Sequence, residues 1–167
     1  AALISEEWLA KRVLAHYFPQ VLPLTSTQRH YLYYVMSYHE GATLQQHIDS
    51  GRHYAVADAA QIGIRLLKGL AALHRLNILH RDIKPNNVHI GADSKLRILD
   101  LGVALNQGFT EEPAHLVNPG TPSFMAPELF SGAAASTQSR ASAASSNPFA
   151  AARRRAERTL GVKVMRA

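Results

Sequence analysis

Eight consecutive residues, His80-Arg81-Asp82-Ile83-Lys84-Pro85-Asn86-Asn87, collect the side chains that moving a phosphoryl group would need. A carboxylate such as Asp82 can accept the proton of an attacking hydroxyl. Lys84, two positions on, can neutralise the moving group, and Asn87 can hold a metal ion. A second acidic motif, Asp100-Leu101-Gly102, begins eighteen residues beyond Asp82. The plain alternative for the first stretch is a polar surface loop.

Chemistry at fixed spacing needs elements that hold it. Upstream, Val56 to Leu76 reads as one long helix, with Ala59, Ile62, Leu66, Leu70 and Leu73 recurring every three or four residues. Asp58 followed by Gln61 suggests a capping box at its start, and His74 near its end suits a C-terminal cap or a core position. Downstream, Val88-His89-Ile90 and Leu96-Arg97-Ile98-Leu99 read as short strands flanking the turn Gly91-Ala92-Asp93-Ser94. A hairpin of that kind returns the chain on itself and sets Asn87 beside Asp100, as a shared metal site requires.

The earlier chain is expected to supply a helix over Ala1 to Ala15, with Leu3, Trp8, Leu9, Arg12 and Val13 at helical spacing. Two antiparallel strands, Gln20 to Leu24 and His30 to Ser37, would follow, joined by the polar turn Thr25 to Arg29. Glu40-Gly41-Ala42-Thr43-Leu44 is expected to open a short helix through Ile48, ended by Asp49-Ser50-Gly51. Residues 103 to 119 show no periodicity and read as a loop in which Thr110 is the only hydroxyl residue.

A length of 167 residues suits one ordinary domain, and 47% hydrophobic residues suffice for a packed core. There is no cysteine, so disulfides and cysteine-based zinc sites are excluded. No apolar run approaches the length of a bilayer span. Net charge is +6, yet residues 1 to 128 hold 11 bases and 11 acids. The whole excess sits in residues 129 to 167, so it gives no sign of nucleic-acid binding by the folded part. Beyond Phe130 the sequence becomes Ala/Ser-rich and then Arg-rich, at Arg153-Arg154-Arg155. Residues 131–167 read either as an out-of-frame or disordered tail or as a genuine basic tail for an acidic partner.

The first stretch resembles the catalytic loop H-R-D-x-K-x-x-N of the serine/threonine protein kinases. Asp100-Leu101-Gly102 is similar to their Asp-Phe-Gly motif, with leucine for phenylalanine. Gly120-Thr121-Pro122-Ser123-Phe124-Met125-Ala126-Pro127-Glu128 resembles their substrate-docking segment. The likeness covers roughly residues 3 to 130 and looks most like bacterial eukaryotic-type kinases, some of which are fused to metal-dependent phosphatases. It implies an α+β fold, a partial bilobal kinase domain over residues 1–130, and a cytoplasmic protein whose partners are ATP, magnesium and a protein with Ser or Thr hydroxyls. Neither nucleic acid nor a membrane segment is expected, and the oligomeric state is not legible.

Residue by residue, the resemblance makes Asp82 the base, Lys84 the phosphate neutraliser, and Asn87 with Asp100 the magnesium ligands. Thr121 would bridge Asp82 and Lys84, a pattern pointing to Ser/Thr rather than Tyr substrates. Met36 becomes the gatekeeper behind the adenine, Ser37-Tyr38-His39 the hinge, and His89 the pocket floor in place of an aliphatic residue. Glu6, or alternatively Glu7, would pair with a lysine on a preceding strand. Arg81 would receive a phosphate on Thr110, and Glu128 would meet a later arginine. The lysine strand and the Gly-rich loop would precede residue 1, so residues 1 to 167 alone are expected to be weak or inactive. A catalytically dead binding module stays open, and so does a small-molecule phosphotransferase, although Lys84 and Ala126-Pro127-Glu128 argue against the latter.

Overall fold

The computed structural model of the chain describes residues 2–13, 16–24, 31, 33–106, 120–126 and 129. Its elements in chain order are α1 (Ala2–Arg12), β1 (Val21–Leu22), β2 (Val35–Met36), β3 (Gly41–Thr43), α2 (Leu44–Asp49), α3 (Val56–His74), β4 (Ile78–Leu79), β5 (Val88–Gly91), β6 (Leu96–Ile98) and β7 (Leu105–Asn106). The expected turn at 25–29, Thr110, Pro127, Glu128 and the tail 131–167 lie outside the described residues.

Helix α1 turns Leu9, and Val13 just beyond its end, into the core, while Ile4 and Trp8 stay exposed. It ends on Lys11 and Arg12, cations placed where the helix dipole favours them. That is earlier than Ala15. Strands β1 and β2 pair antiparallel with Val21 opposite Met36, and Ser37 N–H extends the ladder by donating to Gln20 O at 2.8 Å. Both are shorter than the sequence pattern suggests.

Residues 40 to 43 correct the sequence reading. They do not open a helix: β3 is a strand, paired antiparallel to β5 with Gly41 opposite Gly91 and Thr43 opposite His89. The helix begins only at Leu44, where Thr43 caps it. Gln46 N–H donates to Thr43 Oγ1 at 3.2 Å, and Thr43 N–H donates to Gln46 Oε1 at 2.7 Å, a reciprocal capping box. Thr43→Ala removes one half of it and should lower stability by about 1 kcal/mol, read as a shift in the urea midpoint with unchanged slope.

Helix α3 spans 19 residues and buries Ala60, Ile62, Leu70 and Leu73. The expected Asp58–Gln61 box is absent. Ala55 occupies the cap with no side-chain bond, and Asp58 instead sits in the first turn, where the dipole favours an acid. The helix stops two residues short of Leu76, with Asn77 in the left-handed region at φ 57° and its N–H donating to His74 O at 2.9 Å. No helix among the described residues is long and apolar enough to cross a membrane.

Strands β5 and β6 form the expected hairpin, with Val88 opposite Ile98 and Ile90 opposite Leu96, and β3 completes a three-stranded sheet in the order β3-β5-β6. Strand β4 pairs with β7, Leu79 opposite Leu105. One buried cluster joins these parts: Leu9, Val13 and Phe18 meet Leu44, Ile62, Leu70, Leu73, Ile78, Val88, Leu96, Ile98 and Leu101. Each such side chain contributes about 1.5–3 kcal/mol on leaving water. The fold is α+β, and the core grips both ends of the segment that carries Asp82.

Candidate active site

Strand β4 delivers the chain from the core into the loop. Ile78, Leu79 and His80 are all but fully buried. The imidazole of His80 donates from Nε2 to Leu99 O at 3.0 Å and accepts the Asp82 N–H at Nδ1 at 3.4 Å. These two partners fix one tautomer. They also clamp the loop to the end of β6, one residue before Asp100.

Arg81 and Asp100 both occupy the left-handed region, at φ 66° and 62°. Each such conformation costs about 1 kcal/mol or more and persists only where neighbours impose it. Arg81 Nε donates to Val103 O at 2.6 Å, and Gly102 N–H donates to Asp100 Oδ1 at 3.0 Å. The two strained turns therefore hold each other across the loop and the Asp100 motif.

Between them Lys84 is extended and Pro85 starts one 3-10 turn, closed by Asn87 N–H donating to Lys84 O at 2.9 Å. This turn swings Asn87 back towards Asp82. Its Nδ2 donates to Asp82 O at 2.9 Å and to Asp82 Oδ2 at 3.2 Å. The amide oxygen is thereby directed away from the aspartate, free of that network. Asn87 O accepts from Leu99 N–H at 2.9 Å, which places Asn87 next to the start of the Asp100 turn.

Thr121 comes from 39 residues further along the chain. Its N–H and its hydroxyl both donate to Asp82 Oδ1 at 2.9 Å, and the hydroxyl accepts from Lys84 Nζ at 2.9 Å. Lys84 Nζ also pairs with Asp82 Oδ2 at 2.7 Å. Burial pushes the Asp82 carboxyl upward, but the bonds from Lys84 and Thr121 together with the lysine charge outweigh it and hold the group below its usual range. An ionised, oriented carboxylate results.

Glu6 and Asp100 line one cleft with Tyr34, Met36, Phe18 and Leu101. Glu6, rather than Glu7, points into it. Glu7 instead pairs with Lys11 at 2.8 Å on the helix surface. Tyr34 donates to Glu6 Oε1 at 2.7 Å, a contact the sequence reading missed. The available signal was a tyrosine in an aromatic strand, whose hydroxyl needs a partner wherever the ring is covered.

Along the segment after β2, Ser37 Oγ accepts from Gln20 N–H at 3.0 Å and lies 2.9 Å from His39 Nε2. Tyr38 is 86% exposed, so its side chain packs on little. His89, on β5 opposite Thr43 and Arg97, has a buried Nδ1 with no hydrogen-bond partner among the described residues. Burial first, then the charges of Arg97 and His39, lower its basicity, so the ring is neutral near pH 7. Among the described residues no group of three or more His, Cys, Asp or Glu could hold a metal ion.

Comparison with known proteins gives the same assignment by another route. The chain matches the protein kinase domain family over residues 5–143. It is 31% identical over 132 residues to a putative protein kinase C delta type homolog of Drosophila melanogaster, covering 79% of this chain and 19% of that one. It is 37% identical over 101 residues to a serine/threonine-protein kinase H1 homolog of Danio rerio, covering 59% and 24%. A probable serine/threonine-protein kinase of Streptomyces coelicolor is 33% identical over 105 residues, covering 60% and 15%. The chain spans only 14% to 30% of the length of the relatives it matches. Since the match runs through the Asp82 loop, the Asp100 turn and the threonine that holds the aspartate, the chain belongs to the protein kinase family.

Proposed function

We propose that the protein is an ATP-dependent serine/threonine kinase, and that Asp82, Lys84, Asn87, Thr121 and Asp100 are its working residues. One observation supports this above the others: Thr121 and Lys84, bonded to each other, converge on the two oxygens of the Asp82 carboxylate at 2.9 and 2.7 Å. Such convergence leaves Asp82 ionised and aimed, as a proton acceptor must be.

In the proposed reaction the hydroxyl oxygen of a Ser or Thr side chain attacks the γ-phosphorus of ATP. The bond to the ADP oxygen breaks, and Asp82 takes the hydroxyl proton. Lys84 meets the negative charge on the transferring group, and Thr121 holds both side chains in register. Asn87, through the oxygen that faces away from Asp82, and Asp100, through the oxygen not taken by Gly102, would hold magnesium. Oxygen donors of this kind suit a hard cation that completes its shell with phosphate and water. When bound, that ion would neutralise developing phosphate charge. Met36 and the backbone of Ser37-Tyr38-His39 would receive the adenine, with His89 beneath it. ATP as donor favours the cytoplasm.

The test uses the full-length protein that carries this sequence, with magnesium, γ-labelled ATP and a protein or peptide bearing Ser, Thr and Tyr. Label is expected on Ser or Thr, and chelation of magnesium should abolish it. Lys84→Ala should lower kcat about 10²- to 10³-fold with a smaller change in KM for ATP. Label on tyrosine alone would refute the substrate class. An absence of label would leave a kinase-like binding module.

A further inference from the structure

Tyr34 stands where two carboxylates meet. Its phenol reaches back 28 positions in sequence to donate to Glu6 Oε1 at 2.7 Å. The other glutamate oxygen faces the Asp100 turn: a Cβ built on Gly102 would lie 3.5 Å from Glu6 Oε2 and 3.1 Å from Asp100 Oδ1. Two carboxylates directed at one glycine repel each other, which favours rotation of Glu6 away from the Asp100 turn. The bond from Tyr34 opposes that rotation.

We propose that Tyr34 is a positioning residue for phosphoryl transfer: by donating to Glu6 Oε1 it keeps that glutamate turned into the cleft beside Asp100, and so keeps α1 docked before nucleotide arrives. The inference rests on the kinase reading above, because the placement of α1 matters to turnover only if the Asp100 turn serves the reaction. A phenol suits the task. It is neutral, so it bonds one carboxylate without drawing in the second as an ammonium would. Burial first, then the hydrogen bond to Glu6 and the charges of Glu6, Asp100 and Glu7, hold its ionisation well above the ordinary tyrosine value. Tyr34 therefore remains a donor at any physiological pH. Phe18 and Leu101 line the same cleft and limit competition by water.

Tyr34→Phe in the full-length chain deletes the donor and keeps the ring. It is expected to lower kcat about tenfold, the scale of one hydrogen bond to a charged group, with KM for the protein substrate unchanged. Glu6→Gln should cost at least as much, and the double variant should cost no more than Glu6→Gln alone. Full activity in Tyr34→Phe, or effects that multiply in the double variant, would overturn the proposal. A second readout needs no turnover. Tyrosinate absorbance should show a late-ionising component that disappears in Tyr34→Phe and moves to lower pH in Glu6→Gln. A late component indifferent to Glu6→Gln would overturn the proposal as well. If the wild-type full-length protein transfers no phosphate, the kinase reading falls on its own, while the titration still decides whether Tyr34 and Glu6 are coupled.

Discussion

Asp82→Asn in the full-length chain should lower kcat by about 10³-fold, within the range assigned to a positioned general base. The substitution is nearly isosteric. An amide oxygen in place of Oδ1 can still accept from the Thr121 N–H and hydroxyl, so the segment after Gly120 keeps its anchor. What is lost is the capacity to take a proton, together with the charge that Lys84 pairs with at 2.7 Å. Affinity for ATP, measured separately by fluorescence with a labelled nucleotide, should change little. Retention of kcat would remove Asp82 from its proposed role, whereas loss of both kcat and nucleotide affinity would indicate a damaged fold. The same carboxylate has a pH signature. Its folded-state pKa lies below the ordinary value, so its contribution to stability is complete above about pH 4 and is lost as pH falls through the folded value. In Asp82→Asn that part of the acid unfolding curve should flatten.

Much of this site was legible because its chemistry is written in short spacings. Asp82, Lys84 and Asn87 lie within six consecutive positions, so a single extended segment and one 3-10 turn place all three. Helix α3 was legible from its apolar period, and the β5–β6 hairpin from the turn residues Gly91 to Ser94, where Ser94 adopts φ 59°. Strand β3 was not. Gly41-Ala42-Thr43 has a single branched residue and no alternation, and it is a strand only because β5 offers it hydrogen bonds from 46 to 50 positions away. The α3 cap failed for a related reason: an Asp and a Gln three apart fit a capping box, but the helix begins at Val56, which moves both inside the first turns. The Tyr34–Glu6 bond depends on how a strand and a helix pack, which no local pattern encodes.

The β3–β5 pairing also explains why Gly41→Ala should be the more damaging substitution for the fold. Gly41 sits at φ 138°, a conformation that side chains disfavour. A Cβ there would lie 2.2 Å from Ile90 O and 2.7 Å from Gly91 Cα. Both are backbone atoms of the partner strand, so no side chain can swing aside, and β3 must part from β5. Relief by movement would disturb Thr43, which caps α2, and Glu40, whose carbonyl accepts from Ala92 N–H at 2.8 Å. The expected loss is about 3 kcal/mol or more, the class of effect reserved for steric conflict in a packed place. Gly51→Ala provides the contrast. Gly51 has φ 70° but nothing within 4 Å of the new Cβ, so only the left-handed conformation is penalised, by about 1 kcal/mol. Denaturant unfolding of the two variants separates conformational strain from collision. A much larger loss at Gly41, accompanied by weaker ATP binding, would tie the strand beyond Ser37-Tyr38-His39 to nucleotide affinity. Equal losses would mean that β3 does not lie against β5 in solution, and that α2 is held by its capping box and the core at Leu44 alone.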